Sequence, residues 1–326
     1  MIVTKTPLRV SFFGGGSDIP EFYKNNYGMT LSTTIDSYIH LAINSCDSNH
    51  IRMTYSEMEY VKDVDDLKHD RVKECLKMLS ILNKIEICSF SQIPTKGTGL
   101  GSSSTFTVGL VNGLTYLKNK EILDKKSIAE LACHIELDLC NQPIGKQDQY
   151  AASFGGLNVF HYHNDFVYVE PLKNRVIDIN SLKENLMIYN TGITRQASSV
   201  LNEQVELLKT NMNVKNTKKI VDITKESVIM LKKNKIDCFG ELLDESWNIK
   251  KNLASNISND YIDNMYEEAK KYGAIGGKIL GAGGGGYMLL YIPSKDKNNF
   301  LNSDFNKKYK RFNFNFETRG TFLNVI

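Results

Sequence analysis

The 326-residue sequence is poor in the features that would assign it at once to several large classes. Its six cysteines, at 46, 75, 88, 133, 140 and 238, include no C-x-x-C pair. That spacing argues against a zinc or disulfide framework and makes reduced thiols the default. No apolar run reaches the ~20 residues needed to span a bilayer. The first residues lack the apolar region of a signal peptide, so the expectation is a cytoplasmic protein with no membrane partner. Charge of one sign is missing too. The 40 basic and 37 acidic residues are interspersed and leave a net +3, with no basic block of the kind that binds nucleic acid. There is no internal repeat, no low-complexity tail and no Walker A loop, since no Gly-Lys-Ser/Thr follows the spaced glycines. At 41% hydrophobic, the chain has ample material for one large domain or two of ordinary size.

What is present is a glycine-rich loop. Pro94 leads to Gly97, Gly99 and Gly101 at every second position, with Leu100 between the last two, and then to Ser102, Ser103, Ser104 and Thr105. Residues 85–90 read as a strand before it. Phe106, Leu110, Val111, Leu114 and Leu117 recur at helical spacing after it. Backbone N–H groups of such a loop, with the positive end of the following helix, form an anion cradle. The four hydroxyl residues can cap the helix, hold phosphate oxygens or ligate a hard cation. A plain glycine turn with a serine cap would not need this loop.

Other segments are less explicit. Residues 2–13 read as a strand entering Gly14-Gly15-Gly16-Ser17-Asp18, which alone could be a hairpin turn. Residues 31–44 alternate as a strand, with 51–55 as its expected partner, and 69–83 form an amphipathic helix. Ser127 and Glu130 make a capping box for a further helix. Glu136 lies beside that helix's apolar stripe, and periodicity alone reads it as a solvated glutamate. In Gln147-Asp148-Gln149, Asp148 serves equally well as a base or as a cap. Residues 157–160 and 166–169 read as a hairpin, whose His161 and His163 are too few for a metal site. A boundary within 171–184 divides the chain into domains 1–178 and 179–326. The second opens on a strand at 186–189 and continues through four helices. Gly281–Gly286 formally fits G-x-G-x-x-G, but the strand-like 287–292 follows where the dinucleotide motif requires a helix. Residues 312–316 and 321–325 look like closing strands.

Three glycine segments in this order resemble those of the GHMP kinases: residues 7–18, 94–105 and 278–286. Within that superfamily, residues 4–18, 145–152 and 191–195 resemble the D-glycero-D-manno-heptose 7-phosphate kinases. Galactokinases carry Glu-His where this chain has Gly15-Gly16. The resemblance implies an α/β (α+β type) two-domain fold: a ribosomal S5 domain 2-like N-terminal domain and a ferredoxin-like C-terminal domain. It further implies ATP over Gly97, Gly99, Leu100, Gly101, Ser102, Ser103 and Ser104, and Mg²⁺ held by Ser103 and Glu136. Asp148 becomes the catalytic base with Arg9 beside it. Asp18, Gly15, Gly16, Gly283 and Gly284 would bind the sugar phosphate, with Arg195 or Lys146 on its 7-phosphate. The implied partners are ATP and a sugar phosphate, with the chain a monomer or homodimer. The implied reaction gives a 1,7-bisphosphate for nucleotide-activated heptose. Alternatives are a fucokinase-like sugar 1-kinase and a non-catalytic sensor of ATP and sugar.

Overall fold

The computed structural model describes residues 1–94, 97–173, 177–194 and 197–326. The chain opens with β1 (Ile2–Phe13), whose second half is buried on both faces, as its run Leu8–Phe13 requires. After the short turn α1 (Pro20–Tyr23), β2 (Gly28–Ser45) returns antiparallel, with Ile2 opposite Ile43 and Ser11 opposite Ser32. Next come β3 (Ile51–Thr54), β4 (Met58–Val61), α2 (Asp70–Met78) and β5 (Ile85–Ser91). Residues 51–55, expected to pair with the 31–44 strand, pair instead with β4 and, in parallel, with β5. The longer β5 takes the edge of β2, in register from Ile39↔Ser91 to Ser45↔Ile85, and α2 supplies the crossover a parallel pair needs.

Helix α3 (Ser102–Asn119) follows and is buried on all sides through most of its length. A helix of that kind belongs at the centre of a core. Gly109 lets it approach β1, since a Cβ there would lie 2.8 Å from Thr6 Oγ1. Helix α4 (Lys125–Cys133) starts earlier than the Ser127 box predicts. Asp124 caps it, accepting from the N–H groups of Lys126 and Ser127 at 2.9 and 3.0 Å. Then come α5 (Gln147–Phe154) and the hairpin of β6 (Asn158–Tyr162) and β7 (Val167–Pro171), with β6 on the first residues of β2.

The second unit contains α6 (Ile179–Glu184), β8 (Leu186–Asn190), α7 (Ala197–Lys209), α8 (Val214–Lys232), α9 (Ile236–Lys250) and α10 (Asp260–Lys271). It continues through β9 (Gly276–Ile279), β10 (Tyr287–Tyr291), α11 (Lys297–Asn302), α12 (Asp304–Lys308) and β11 (Arg311–Phe312). Its sheet order is β11-β8-β10-β9, packed on a core that includes Tyr189, Trp247, Tyr266 and Phe300. The tail, which the sequence places in the second domain, crosses back. Strands β12 (Phe316–Glu317) and β13 (Phe322–Val325) join β2 and β1 in the first sheet. The two units also meet through Phe239, edge-on to Phe12 and Phe13, and through Lys278, which donates to the Phe12 carbonyl at 2.9 Å. Among the described residues no helix is long and apolar enough to cross a membrane.

Candidate active site

The strand–loop–helix from β5 to α3 opens on a cleft of ≈ 640 Å³ where the two units meet. Gly97, Gly99 and Gly101 all have φ between +72° and +76°, which L side chains rarely adopt. Gly101 itself ends the loop as the N-cap of α3, with no side-chain cap bond. The hydroxyls therefore do not serve as an ordinary cap, and the first N–H groups of α3 have no intrahelical partner. Ser103 is exposed on the cleft wall, whereas Ser102 and Ser104 are largely buried at its edge. Leu100 turns its side chain into the core and uses its carbonyl to hold the Arg9 N–H at 3.1 Å.

The third glycine run, between β9 and β10, packs on this loop. A Cβ at Gly99 would overlap the Leu280 carbonyl, so the two loops meet backbone to backbone. Gly281 and Ala282 line the cleft. Gly283 and Gly284, expected at the substrate, turn onto Ile257 instead, where the Gly284 N–H donates to the Ile257 carbonyl at 2.8 Å.

Asp148 lies in the first turn of α5, but it caps nothing. Arg9 grips it with two bonds, Nε to Oδ1 at 2.7 Å and Nη2 to Oδ2 at 2.8 Å. The remaining Nη1 donates to the Gly99 carbonyl at 2.6 Å, tying the pair to the glycine loop. Such a fork-to-fork pair fixes orientation as well as charge.

Glu136 is fully buried, which corrects the solvated reading from periodicity. The cause is local. After Cys133 the helix widens into a π-turn over His134–Leu139, with the Cys140 N–H reaching the Ile135 carbonyl at 2.9 Å. One π-turn shifts the facing of every later side chain, and such turns recur at functional sites. Glu136 Oε1 accepts from Arg71 Nε at 2.6 Å and lies 3.0 Å from the Thr107 hydroxyl. Oε2 accepts from Gln149 Nε2 at 2.6 Å. The Thr107 hydroxyl is also 3.1 Å from the Ser103 carbonyl, so Glu136 sits one residue behind the cleft wall at Ser103.

Asp18 lines the cleft and is buried, accepting from the N–H groups of Gly16 and Gln147 at 3.0 and 3.2 Å. Burial first, and then the charge of Asp148, raise its pKa above the ordinary aspartate value. Gly15 and Gly16 line the same wall, and a Cβ at Gly15 would have nothing within 4 Å. Lys146 is not brought into this cleft: its ammonium lies 5.0 Å from the Tyr23 ring centre, in an adjoining cavity. Arg195 lies outside the described residues.

The model for the GHMP kinases N terminal domain matches residues 69–156, and that for the GHMP kinases C terminal domain matches residues 228–311. D-glycero-alpha-D-manno-heptose 7-phosphate kinase of Campylobacter jejuni is 31% identical over 320 residues, covering 92% of each chain. The chain belongs to the GHMP kinases. It is also 26% identical to the bifunctional fucokinase/GDP-fucose pyrophosphorylase of Arabidopsis thaliana, over 89% of this kinase but 30% of that protein. A solved D-glycero-D-manno-heptose 1-phosphate kinase from Bacteroides thetaiotaomicron shares the fold, with TM-score 0.80 at 24% identity over 100% of this chain and 99% of that one. A putative sugar kinase from C. jejuni matches with TM-score 0.76 at 29% identity, over 100% and 98%. The fold is thus the two-domain GHMP kinase fold, of mixed α/β class, and the protein is a phosphotransferase.

Sequence reasoning missed two charged cleft residues of this kinase. Arg71 gives no signal, since a charged residue in the first turn of an amphipathic helix is ordinary. Lys250 gives one: it falls on the stripe of Leu243 and Trp247, where a lysine is out of place. A second titratable cluster, Cys46, His50 and Glu86, lies away from the cleft, and Arg52 already holds its carboxylate at 3.0 Å.

Proposed function

We propose that this kinase transfers the γ-phosphoryl group of ATP to the anomeric hydroxyl of D-glycero-D-manno-heptose 7-phosphate. The product would be the 1,7-bisphosphate, consumed in the synthesis of GDP-linked heptose for surface polysaccharide. The observation that carries the chemistry is the Arg9–Asp148 pair bonded to the glycine loop at Gly99. The choice of acceptor is supported by the full-length similarity to the C. jejuni heptose 7-phosphate kinase.

In this reading the ATP phosphates lie over Gly97, Gly99 and Gly101 and the start of α3, with Ser102, Ser103 and Ser104 at their edge. The sugar lies against Asp18, Gly15 and Gly16. Asp148 accepts the hydroxyl proton as the sugar oxygen bonds to phosphorus and the β,γ-bridging bond breaks, releasing ADP. Arg9 holds Asp148 in line through its two hydrogen bonds. The donor set fits Mg²⁺ in kind, since Ser103 and Glu136 offer hard oxygens, with Thr107 bonded to both the Ser103 carbonyl and Glu136, although Arg71 holds Glu136 here. Those two residues would hold the ion, which neutralises phosphate charge when bound. The 7-phosphate needs a cation, Arg195 or Lys146, and the wall at Gly15 is open to the cleft.

The runner-up is a fucokinase-like sugar 1-kinase, favoured by the match to the Arabidopsis protein and by a 25% match to the L-fucokinase/L-fucose-1-P guanylyltransferase of Bacteroides fragilis. The test is ADP release with Mg·ATP and a panel of heptose 7-phosphate, unphosphorylated heptose, fucose, galactose and mannose. Turnover confined to the 7-phosphate supports the proposal. Turnover with fucose instead moves the assignment to the runner-up, and ATP binding without any turnover brings forward a sensor.

A further inference from the structure

We infer that Lys250 is the C-terminal domain's phosphoryl-binding cation, with its ammonium group on the γ-phosphoryl group opposite Arg9 and the start of α3. This rests on the kinase reading above but not on the identity of the sugar.

Lys250 is the last residue of α9 and reaches the cleft wall while remaining only 7% exposed. Its Nζ donates to the Gly281 carbonyl at 2.5 Å. Gly281 packs on Gly99, whose carbonyl takes the Arg9 Nη1 bond at 2.6 Å, and Arg9 in turn grips Asp148. Two backbone carbonyls therefore tie Lys250 to the transfer end of the cleft, away from Lys146 and its adjoining cavity.

Its electrostatic setting favours an anion. Among the described residues no carboxylate is within ion-pair distance of Lys250. The charges that act on it are Arg9 of β1, which repels it, and Asp18, which attracts it. Lys278 of β9, itself buried, feels the repulsion of Lys250 in return. Burial first, and then Arg9, push the Lys250 ammonium down to about 8. A buried cation without a counter-ion destabilises the free protein, and an apolar side chain would fill the same place more favourably. A bound phosphate supplies the missing charge. A positioned cation on a transferring phosphoryl group is a recurrent source of transition-state stabilisation.

The test uses the full-length kinase, Lys250→Met and Lys250→Arg, with calorimetric binding of Mg·ADP and of the non-hydrolysable β,γ-imido analogue of ATP. The methionine variant should bind the triphosphate analogue at least ~10-fold more weakly while binding ADP within about threefold of wild type, and arginine should recover part of the difference. With whichever acceptor the wild type uses, kcat of the methionine variant should fall by ~10²-fold. A loss shared equally by ADP and the analogue, or no loss for either, would mean that Lys250 only props the Gly281 loop, and would overturn the inference. Wild-type protein offers a reading that needs no variant. At pH 8, binding of the analogue in buffers of different ionisation enthalpy should show more proton uptake than binding of ADP, because the γ-phosphate holds the proton on Lys250. Equal uptake contradicts the inference. No sugar enters these binding measurements, so their result does not depend on which acceptor the kinase uses.

Discussion

Two arginine–carboxylate pairs stand at the cleft wall with their exposures reversed. In Arg9–Asp148 the arginine side chain is 4% exposed and the carboxylate 26%. In Arg71–Glu136 the arginine is 20% exposed and the carboxylate 0%. The functional groups are the same, so the difference lies in which partner can meet a ligand. Asp148 presents a carboxylate that a ligand in the cleft can reach, fixed from behind by Arg9. Glu136 is a fixed charge behind the wall, reached only where its counter-ion can be exchanged. A carboxylate in the first arrangement suits proton transfer, and one in the second suits holding a cation.

Breaking the first pair has the largest expected effect. Asp148→Asn should lower kcat by ~10²–10⁴-fold while calorimetry shows nucleotide binding nearly unchanged. Retention of most of the turnover would remove Asp148 as base. Arg9→Met should lose ~10²-fold or more in kcat. It should also lower Tm, because it frees the Asp148 carboxylate and the Gly99 carbonyl together.

The second pair should respond through the metal. Glu136→Gln should raise the Mg²⁺ concentration for half-maximal rate by ~10-fold or more. Arg71→Met should lower that concentration and make the Mg²⁺-dependent rise in Tm larger than in wild type, since the ion no longer competes with a guanidinium. A higher Mg²⁺ requirement in Arg71→Met would mean that Arg71 assists metal binding.

The smallest effect concerns Asp18. Its raised pKa means that the folded protein binds more protons than the unfolded chain between the ordinary aspartate value and the shifted one. Stability therefore falls as pH rises through that window. In Asp148→Asn the repulsion is removed, and the Asp18 carboxyl carbon should titrate at lower pH in an NMR experiment than it does in wild type. An unchanged midpoint would leave burial as the whole cause.

The parts of this site that were legible in the sequence are those made by backbone. Alternate glycines before a hydroxyl run can be recognised because few residues adopt those φ values, and the strand before and helix after them follow from hydrophobic period. The two-domain fold followed from the same segments once their order matched the GHMP kinases. Side-chain facing was less legible. The π-turn that turns Glu136 inward has no composition signal, so 3.6-residue periodicity misplaced it. Asp148 looked equally like a cap, because its partner is 139 positions away on β1. Pairing of β3 was lost for a similar reason: the strand that displaced it from β2 lies beyond a crossover helix. Lys250 was missed although it falls on an apolar stripe, and the stripe alone does not say what lies at the far end of its side chain.

The most direct test of phosphoryl transfer to the anomeric position is the product itself. Heptose 7-phosphate incubated with Mg·ATP and the kinase should give a second sugar-bound ³¹P resonance coupled to the anomeric proton, appearing in step with ADP. A new phosphate coupled to any other sugar proton, or inorganic phosphate in place of a bisphosphate, would contradict the account.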